Sequence, residues 1–269
     1  MEPKKMTVPR RRWQEMRAPD FSGDSSRWIA VLPIAAVEQH GPHLPVGVDM
    51  LLAEGYVAET IRRLPSDLPA TFLPVQAVGK SNEHIASPGT LTLGWKTATE
   101  SWIEIGDSIA RAGLRKLVIV TSHGGNVPIM DIVALELRLR HRMLCVATGW
   151  SRLGKAEGVF PPEEAVHGIH GGDVETSMML ALHPELVDMN AAADFGSRQH
   201  EMIATMAQLR VHGPVQFGWT AGDLNPAGAV GNAGAATAEK GRAQIAYAAS
   251  AFCDLLADVD RFDPDSLAH

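Results

Sequence analysis

RWIAVLPIAAV, residues Arg27 to Val37, is a near-continuous apolar run that breaks off into EQHGPH, residues Glu38 to His43. A strand wetted on one face alternates apolar and polar residues. A run without that alternation suits a strand buried on both faces, as in a parallel sheet covered by helices. Reading outward, Asp49 opens a helical segment, Met50 to Leu64, stopped by Pro65. Thr71 to Val78 is a second apolar run and ends in Gly79-Lys80-Ser81-Asn82-Glu83-His84. Trp95 to Ala112 carries Trp102, Ile105, Ile109 and Ala112 on one stripe, with Gly113 as its cap. Lys116 to Ser122 is a third strand, released into His123-Gly124-Gly125-Asn126. The helix that follows, Val127 to Arg142, tolerates Pro128 in its first turn. Leu144 to Thr148 is a fourth strand and ends at Gly149-Trp150. After an irregular stretch, Ser151 to Gly172, come a helix from Asp173 to Leu182, a glycine-rich loop from Gly222 to Gly234 and an amphipathic helix from Ala235 to Val259. Alternating strand and helix predict an α/β class with a mainly parallel sheet. The expected organisation is one catalytic domain over 27–260, an N-terminal arm over 1–26 and a tail over 261–269.

The 269 residues, 45% hydrophobic and 20% charged, have ordinary globular composition and length enough for a large core. A net charge of −7 argues against nucleic acid or an anionic membrane as partner. Cys145 and Cys253 are too far apart for a CxxC site and are expected to be buried thiols in a reducing compartment. No run approaches the ~20 apolar residues of a membrane helix. Met1 to Met16, with Lys4, Lys5, Arg10, Arg11 and Arg12, is followed by no apolar segment, so the expectation is a solvated arm on a cytoplasmic protein.

Three strands end in histidine-bearing, glycine-rich corners: Glu38/His40, Glu83/His84 and His123. Open parallel sheets bind ligands outside the carboxyl ends of their strands. Each residue alone has an ordinary reading. Glu38 and His40 suit a surface loop, Asp49 a helix N-cap, Glu175 a first-turn helix charge and His123 a hydrogen-bonded turn. Together they are metal chemistry. Imidazole and carboxylate ligands suit zinc, manganese, iron or cobalt, and the missing thiolates argue against structural zinc. Glu38 and His40, two apart in extended chain, project to one side. Asp49 can turn back to bridge two cations, and cations roughly 3.5–4 Å apart can share a hydroxide for hydrolysis. A serine hydrolase would draw on Ser81 beside Lys80 or Ser122 beside His123, but neither lies in a nucleophile elbow. A nucleotide site around Gly222, Gly228, Gly231 and Gly234 lacks both the preceding strand and the Lys-Ser/Thr of a phosphate loop. A non-catalytic metal-binding protein is a third alternative.

The stretch Leu32-Pro33-Ile34-Ala35-Ala36-Val37-Glu38-Gln39-His40-Gly41-Pro42-His43-Leu44-Pro45 with Asp49 resembles the first motif of the creatininase (creatinine amidohydrolase) family. Ser122-His123-Gly124-Gly125-Asn126 resembles the second and His170-Gly171-Gly172-Asp173-Val174-Glu175-Thr176-Ser177 the third. Ser81-Asn82-Glu83-His84 with Pro88-Gly89-Thr90 resembles a stretch between the first two. The resemblance runs from Trp28 to Val259. It implies a three-layer α/β/α sandwich with a mainly parallel central sheet, two divalent metal ions per subunit (zinc, manganese or iron) and a homohexamer. It further implies that Glu38, Asp49 and His123 bind one metal and His40, Asp49 and Glu175 the other, with His170 moving protons. Glu83, His84 and Trp150 are expected to contact a small-molecule substrate, and His43 to support the site or shape its loop. Creatininase itself has Tyr and a metal-binding Glu where this chain has Gly124 and Gly125, which argues against creatinine as substrate. The expected reaction is hydrolysis of a non-peptide C–N bond in a small amide, lactam or formamide. The rival is C–C hydrolysis of a cyclic ketone such as a keto-inositol.

Overall fold

The computed structural model describes residues 8–267. Lys4 and Lys5 of the basic arm and the end of the expected tail lie outside the described residues. Four parallel strands, β1 (Ile29–Ile34), β2 (Ala70–Phe72), β3 (Lys116–Thr121) and β4 (Leu144–Gly149), form one sheet in the order β2-β1-β3-β4. Every residue of β1 and β3 is buried, because both sheet faces are covered. The pleat sends Ile29 and Val31 of β1 and Val118 and Val120 of β3 into one core. Ala30, Leu32 and Ile34, with Leu117 and Ile119, go into the other.

The first core is closed by α1 (Val48–Arg63), α5 (Asp173–Leu182) and α8 (Ala238–Arg261), through Leu52, Tyr56, Met178, Phe252 and Leu256. The second is closed by α2 (Trp95–Arg111) and α3 (Val127–His141), through Trp102, Ile109, Met130 and Leu137. The architecture is thus a three-layer α/β/α sandwich, as expected.

Four local expectations are corrected. The run Thr71–Val78 pairs with β1 in register only as far as Phe72: Leu73 N–H still donates to Val31 O at 2.9 Å, but the next bond comes from Gln76 and not from Val75, a one-residue slip. A single bridge between Ile34 and Gln76 resumes the pairing, with Gln76 N–H donating to Pro33 O at 2.9 Å. Asp49 is the second residue of α1, not its cap; Gly47 holds the cap position. The stretch Ser151–Gly172 contains a 3₁₀ turn, Trp150–Leu153, and a short helix, α4 (Pro162–His167). The described part of the arm does not stand free in solvent but lies against the domain with much of its surface exposed. Arg11 donates to Leu68 O at 2.6 Å and to Pro65 O at 2.6 Å, and Trp13, Met16 and Phe21 pack on the second core.

The remaining elements build the rim around the carboxyl ends of the strands. They are β5 (Asp194–Phe195) antiparallel to β6 (Gly231–Asn232), α6 (Gln199–Thr205) and α7 (Ala221–Leu224). Cys145 and Cys253 are free and half-buried. No helix among the described residues is long and apolar enough to cross a membrane.

Candidate metal centre

The sheet delivers the cluster. Glu38 lies just beyond the end of β1, His123 just beyond β3, Asp49 in the first turn of α1, and Glu175 in the first turn of α5. All five expected ligands meet at one spot. His123 Nδ1 stands 3.1 Å from Glu38 Oε1 and 3.5 Å from Asp49 Oδ2. His40 Nε2 stands 3.9 Å from Asp49 Oδ1 and 3.9 Å from Glu175 Oε2. Glu38, Asp49 and His123 form one group able to hold a cation, and His40, Asp49 and Glu175 form a second, sharing Asp49. A third grouping, Glu38 with His40 and His170, brings a further imidazole within reach.

The donor set matches a divalent cation on physical grounds. Both oxygens of Glu38, Oδ2 of Asp49 and Nε2 of His40 are buried without a hydrogen-bond partner among the described residues. Buried ionic groups are tolerated only when compensated, and four such atoms gathered without a hydrogen bond of their own are a demand for positive charge. The electrostatics report the same crowding of acids: against the effect of burial, Glu38, with Glu83 and Asp49, raises His123 well above its ordinary value. Burial, reinforced by Glu38 and Glu175, pushes the Asp49 carboxyl well above its usual range. Burial and Glu38 also push Glu175 up, against His170 and the Gly171 N–H. At Glu38 burial works upward, yet the positive charge of His123 overcomes it and holds the carboxyl low. Burial depresses His40 to about 4 and His170 to about 3, keeping both imidazoles neutral, the form that binds metal.

The surrounding groups fix tautomers. His40 Nδ1 is 3.0 Å from its neighbour Glu38 O, which leaves Nε2 facing Asp49 and Glu175. His123 turns Nε2 to Lys80 O at 3.1 Å and to Glu83 Oε1 at 3.3 Å, leaving Nδ1 for Glu38 and Asp49. Glu83 is itself paired with Lys80 at 2.6 Å. A carboxylate behind a ligand imidazole raises its basicity and locks its orientation. Glu83 therefore faces His123 directly, although it also lines a cavity. A Cβ at Gly125 would stand 2.0 Å from Glu83 Oε1 and 2.4 Å from His123 Nε2, so the second glycine makes room for this contact.

His170 is tied by backbone bonds to Val230, and its Nε2–H donates to Gln39 O at 2.7 Å. Its Nδ1 then points at Glu38 Oε1, 3.6 Å away. His84 stacks on His170 at 4.2 Å between ring centroids and sets Nε2 3.4 Å from Glu38 Oε1. His43 contacts Thr176 Oγ1 at 2.9 Å and so supports α5 beside Glu175. Trp150 is buried against Tyr56 and Phe252, with ring centroids 4.5 and 4.6 Å away, and also edges a cavity that reaches Glu175.

Gln39 carries no role in the sequence reading, yet its amide holds the corner together. Nε2 donates to His84 Nδ1 at 2.8 Å and to Gly228 O at 2.8 Å, and Oε1 accepts from Gly41 N at 2.9 Å. Its place between two expected ligands was a signal; its partner Gly228, far along the chain, was not readable. Of the two serines considered as nucleophiles, Ser122 commits its hydroxyl to Asp49 O at 2.8 Å, and the Ser81 hydroxyl is buried.

The Creatininase (creatinine amidohydrolase) family model matches residues 14–256. The chain belongs to the creatininase family. Among curated relatives of this creatininase-family chain, the mycofactocin precursor peptide peptidase of Mycobacterium ulcerans is 30% identical over 81% of this chain and 80% of its own length. The creatinine amidohydrolase of Pseudomonas putida is 33% identical over 68% of this chain and 74% of its own. A solved structure described as "Creatininase Mn" superposes with a TM-score of 0.72 at 25% identity, covering 92% of this chain and 98% of that one. Creatininase-family membership supports a hydrolase acting on C–N bonds.

Proposed function

We propose that Glu38, Asp49 and His123 hold one divalent cation and that His40, Asp49 and Glu175 hold a second, and that the protein hydrolyses a C–N bond in a small non-peptide amide, lactam or formamide. The observation that carries this is the set of buried, unpartnered ligand atoms on Glu38, His40 and Asp49. Zinc, manganese or iron bound there would supply hydroxide near neutral pH and polarise a carbonyl. The residues of the chain do the rest. Glu83 orients His123 from behind, and Gln39 orients His84. With its Nε2–H committed to Gln39 O, His170 has Nδ1 to take a proton from attacking water and return it to the departing nitrogen. Trp150 edges one cavity beside the cluster and His84 and Glu83 another, and substrate would draw on these two spaces. Gly124 and Gly125 stand where creatininase carries a Tyr and a Glu, which argues against creatinine as the substrate. A homohexamer in the cytoplasm completes the reading, and light scattering checks its assembly.

Elemental analysis of protein purified without added metal, followed by a panel of lactams, hydantoin-like rings, formamides, keto-inositols and short peptides, tests the proposal. Two equivalents of transition metal and chelator-sensitive C–N cleavage are expected. Metal-free, fully active protein would overturn it. Turnover of keto-inositols alone would make the enzyme a C–C hydrolase, and turnover of peptides alone would remove the non-peptide clause.

A further inference from the structure

We propose that Lys155 is a specificity residue whose ammonium pairs with a carboxylate on the substrate, so that the enzyme acts on amides or lactams that carry a carboxylate. This deepens the hydrolase reading above and rests on it.

A cavity of about 310 Å³ runs from Glu175 along the first core. Its walls include Tyr56, Trp150 and Met178, and its polar lining includes Lys155, Gln244 and Glu175. An apolar cleft with a few convergent polar groups is the usual form of a small-molecule site. Lys155 sits in the loop between the Trp150–Leu153 turn and α4, and that loop is fastened on both sides of it. The buried Gln244 of α8 donates Nε2–H to Gly154 O at 3.2 Å and accepts from Ala156 N at 2.9 Å. The backbone flanking Lys155 is therefore held against the longest helix of the protein, a rigid mount for a recognition group.

Lys155 itself makes no hydrogen bond and no ion pair with any described residue. The acids around it are already engaged. Asp173 pairs with Lys240 at 2.6 Å and accepts from Ser177 Oγ at 2.9 Å. Glu164 accepts from Asp173 N at 2.7 Å and Asn232 N at 3.1 Å, and Glu175 accepts from Gly171 N at 2.6 Å. Glu164, Glu175 and Asp173 attract the half-buried ammonium without contacting it, so a carboxylate in direct contact would offset more of its burial, and a lysine head accepts one in many orientations. An anion drawn to Lys155 would share one cavity with Glu175, which places the remainder of the molecule beside the metal cluster.

The test uses matched pairs that differ only in charge: pyroglutamate and pyroglutamamide, and a tripeptide with a free or an amidated C-terminus. Binding to the metal-loaded protein is measured by calorimetry. Wild type should bind the acid of one pair at least about tenfold more tightly than its amide; the pair that shows this tells a small lactam from a peptide terminus. K155M should abolish the difference and K155R should keep it. Equal binding of acid and amide to wild type, or a preference that survives K155M because a cation takes the carboxylate, overturns the proposal. Should K155M fail to fold, reductive methylation of wild-type Lys155, read by mass spectrometry, decides the matter. Slowing by the acid and not by the amide supports the role, and no slowing by either removes it. A preference for the acid without hydrolysis defeats the hydrolase reading alone; hydrolysis without that preference defeats the Lys155 reading alone.

Discussion

Glu175 shows how much one carboxylate is asked to do. Its Oε2 accepts from the Gly171 N–H at 2.6 Å while standing 3.9 Å from His40 Nε2, so a helix start and a candidate ligand position coincide in one side chain. Glu175→Gln keeps the shape and loses the negative charge. The second cation should weaken and turnover should collapse, as read by elemental analysis and rate; full metal content with full activity would refute the assignment. Glu83 acts one layer further out, so Glu83→Gln should cost about 10–100-fold in metal affinity, measured by competition with a chelating dye. Unchanged affinity would make its contact with His123 incidental. His170 separates ligand from proton carrier. His170→Asn should lower turnover about 10²–10⁴-fold with both cations still bound, and loss of a cation would instead make it a ligand.

At the scale of elements, the site depends on how closely α5 and α8 approach. A Cβ at Gly241 of α8 would stand 1.9 Å from Ser177 O of α5, so this glycine sets the spacing of the two helices behind Glu175. Gly241→Ala should destabilise by about 1–3 kcal/mol through overpacking, seen as a lower denaturant midpoint; an unchanged midpoint would show that the helices can part freely. The end of α1 offers a pH test. Hydrogen bonds from Arg62, against the opposing effect of burial, and from Arg63 hold the Glu59 carboxyl down at about 2, below its ordinary 4.5. A depressed carboxylate stabilises the fold above its unfolded value and loses that contribution as pH falls from 4.5 toward 2. The melting-temperature gap between wild type and Glu59→Gln should therefore be present at neutral pH and close across that window. The pair is near the surface, so the gap reflects no more than about 1 kcal/mol. A gap that persists at the acid end would contradict the linkage.

For the whole molecule, the carboxylates of Glu38 and Asp49 on one side and Glu175 on the other join segments far apart in the chain. Cations that bind only the folded chain add stability by mass action, about 2.7 kcal/mol at a hundredfold excess over the dissociation constant. Chelation should therefore lower the melting temperature, and restoring zinc or manganese should raise it in a concentration-dependent way. A melting temperature indifferent to both would mean that the cluster binds no metal.

The sequence by itself determined the class of fold and the residues of the cluster. An apolar run without alternation, as at Arg27–Val37, suits a strand in a sheet covered on both sides, and its abrupt release into Glu38 and His40 puts ligand chemistry at the carboxyl edge. Periodicity and release points are local properties, and so they survive in the order of residues. What the tertiary structure decided is everything that needs distance. β2 slipped by one residue beyond Leu73, Gly47 took the cap position that Asp49 suits, and the arm around Trp13 found a core to join. Glu83 proved to face His123 through the space left by Gly125, Gln39 to reach Gly228, and Gln244 to fasten the loop of Lys155. These contacts link residues tens to hundreds of positions apart. No pattern within a strand or a helix encodes them, because they arise only when packed layers bring the segments together.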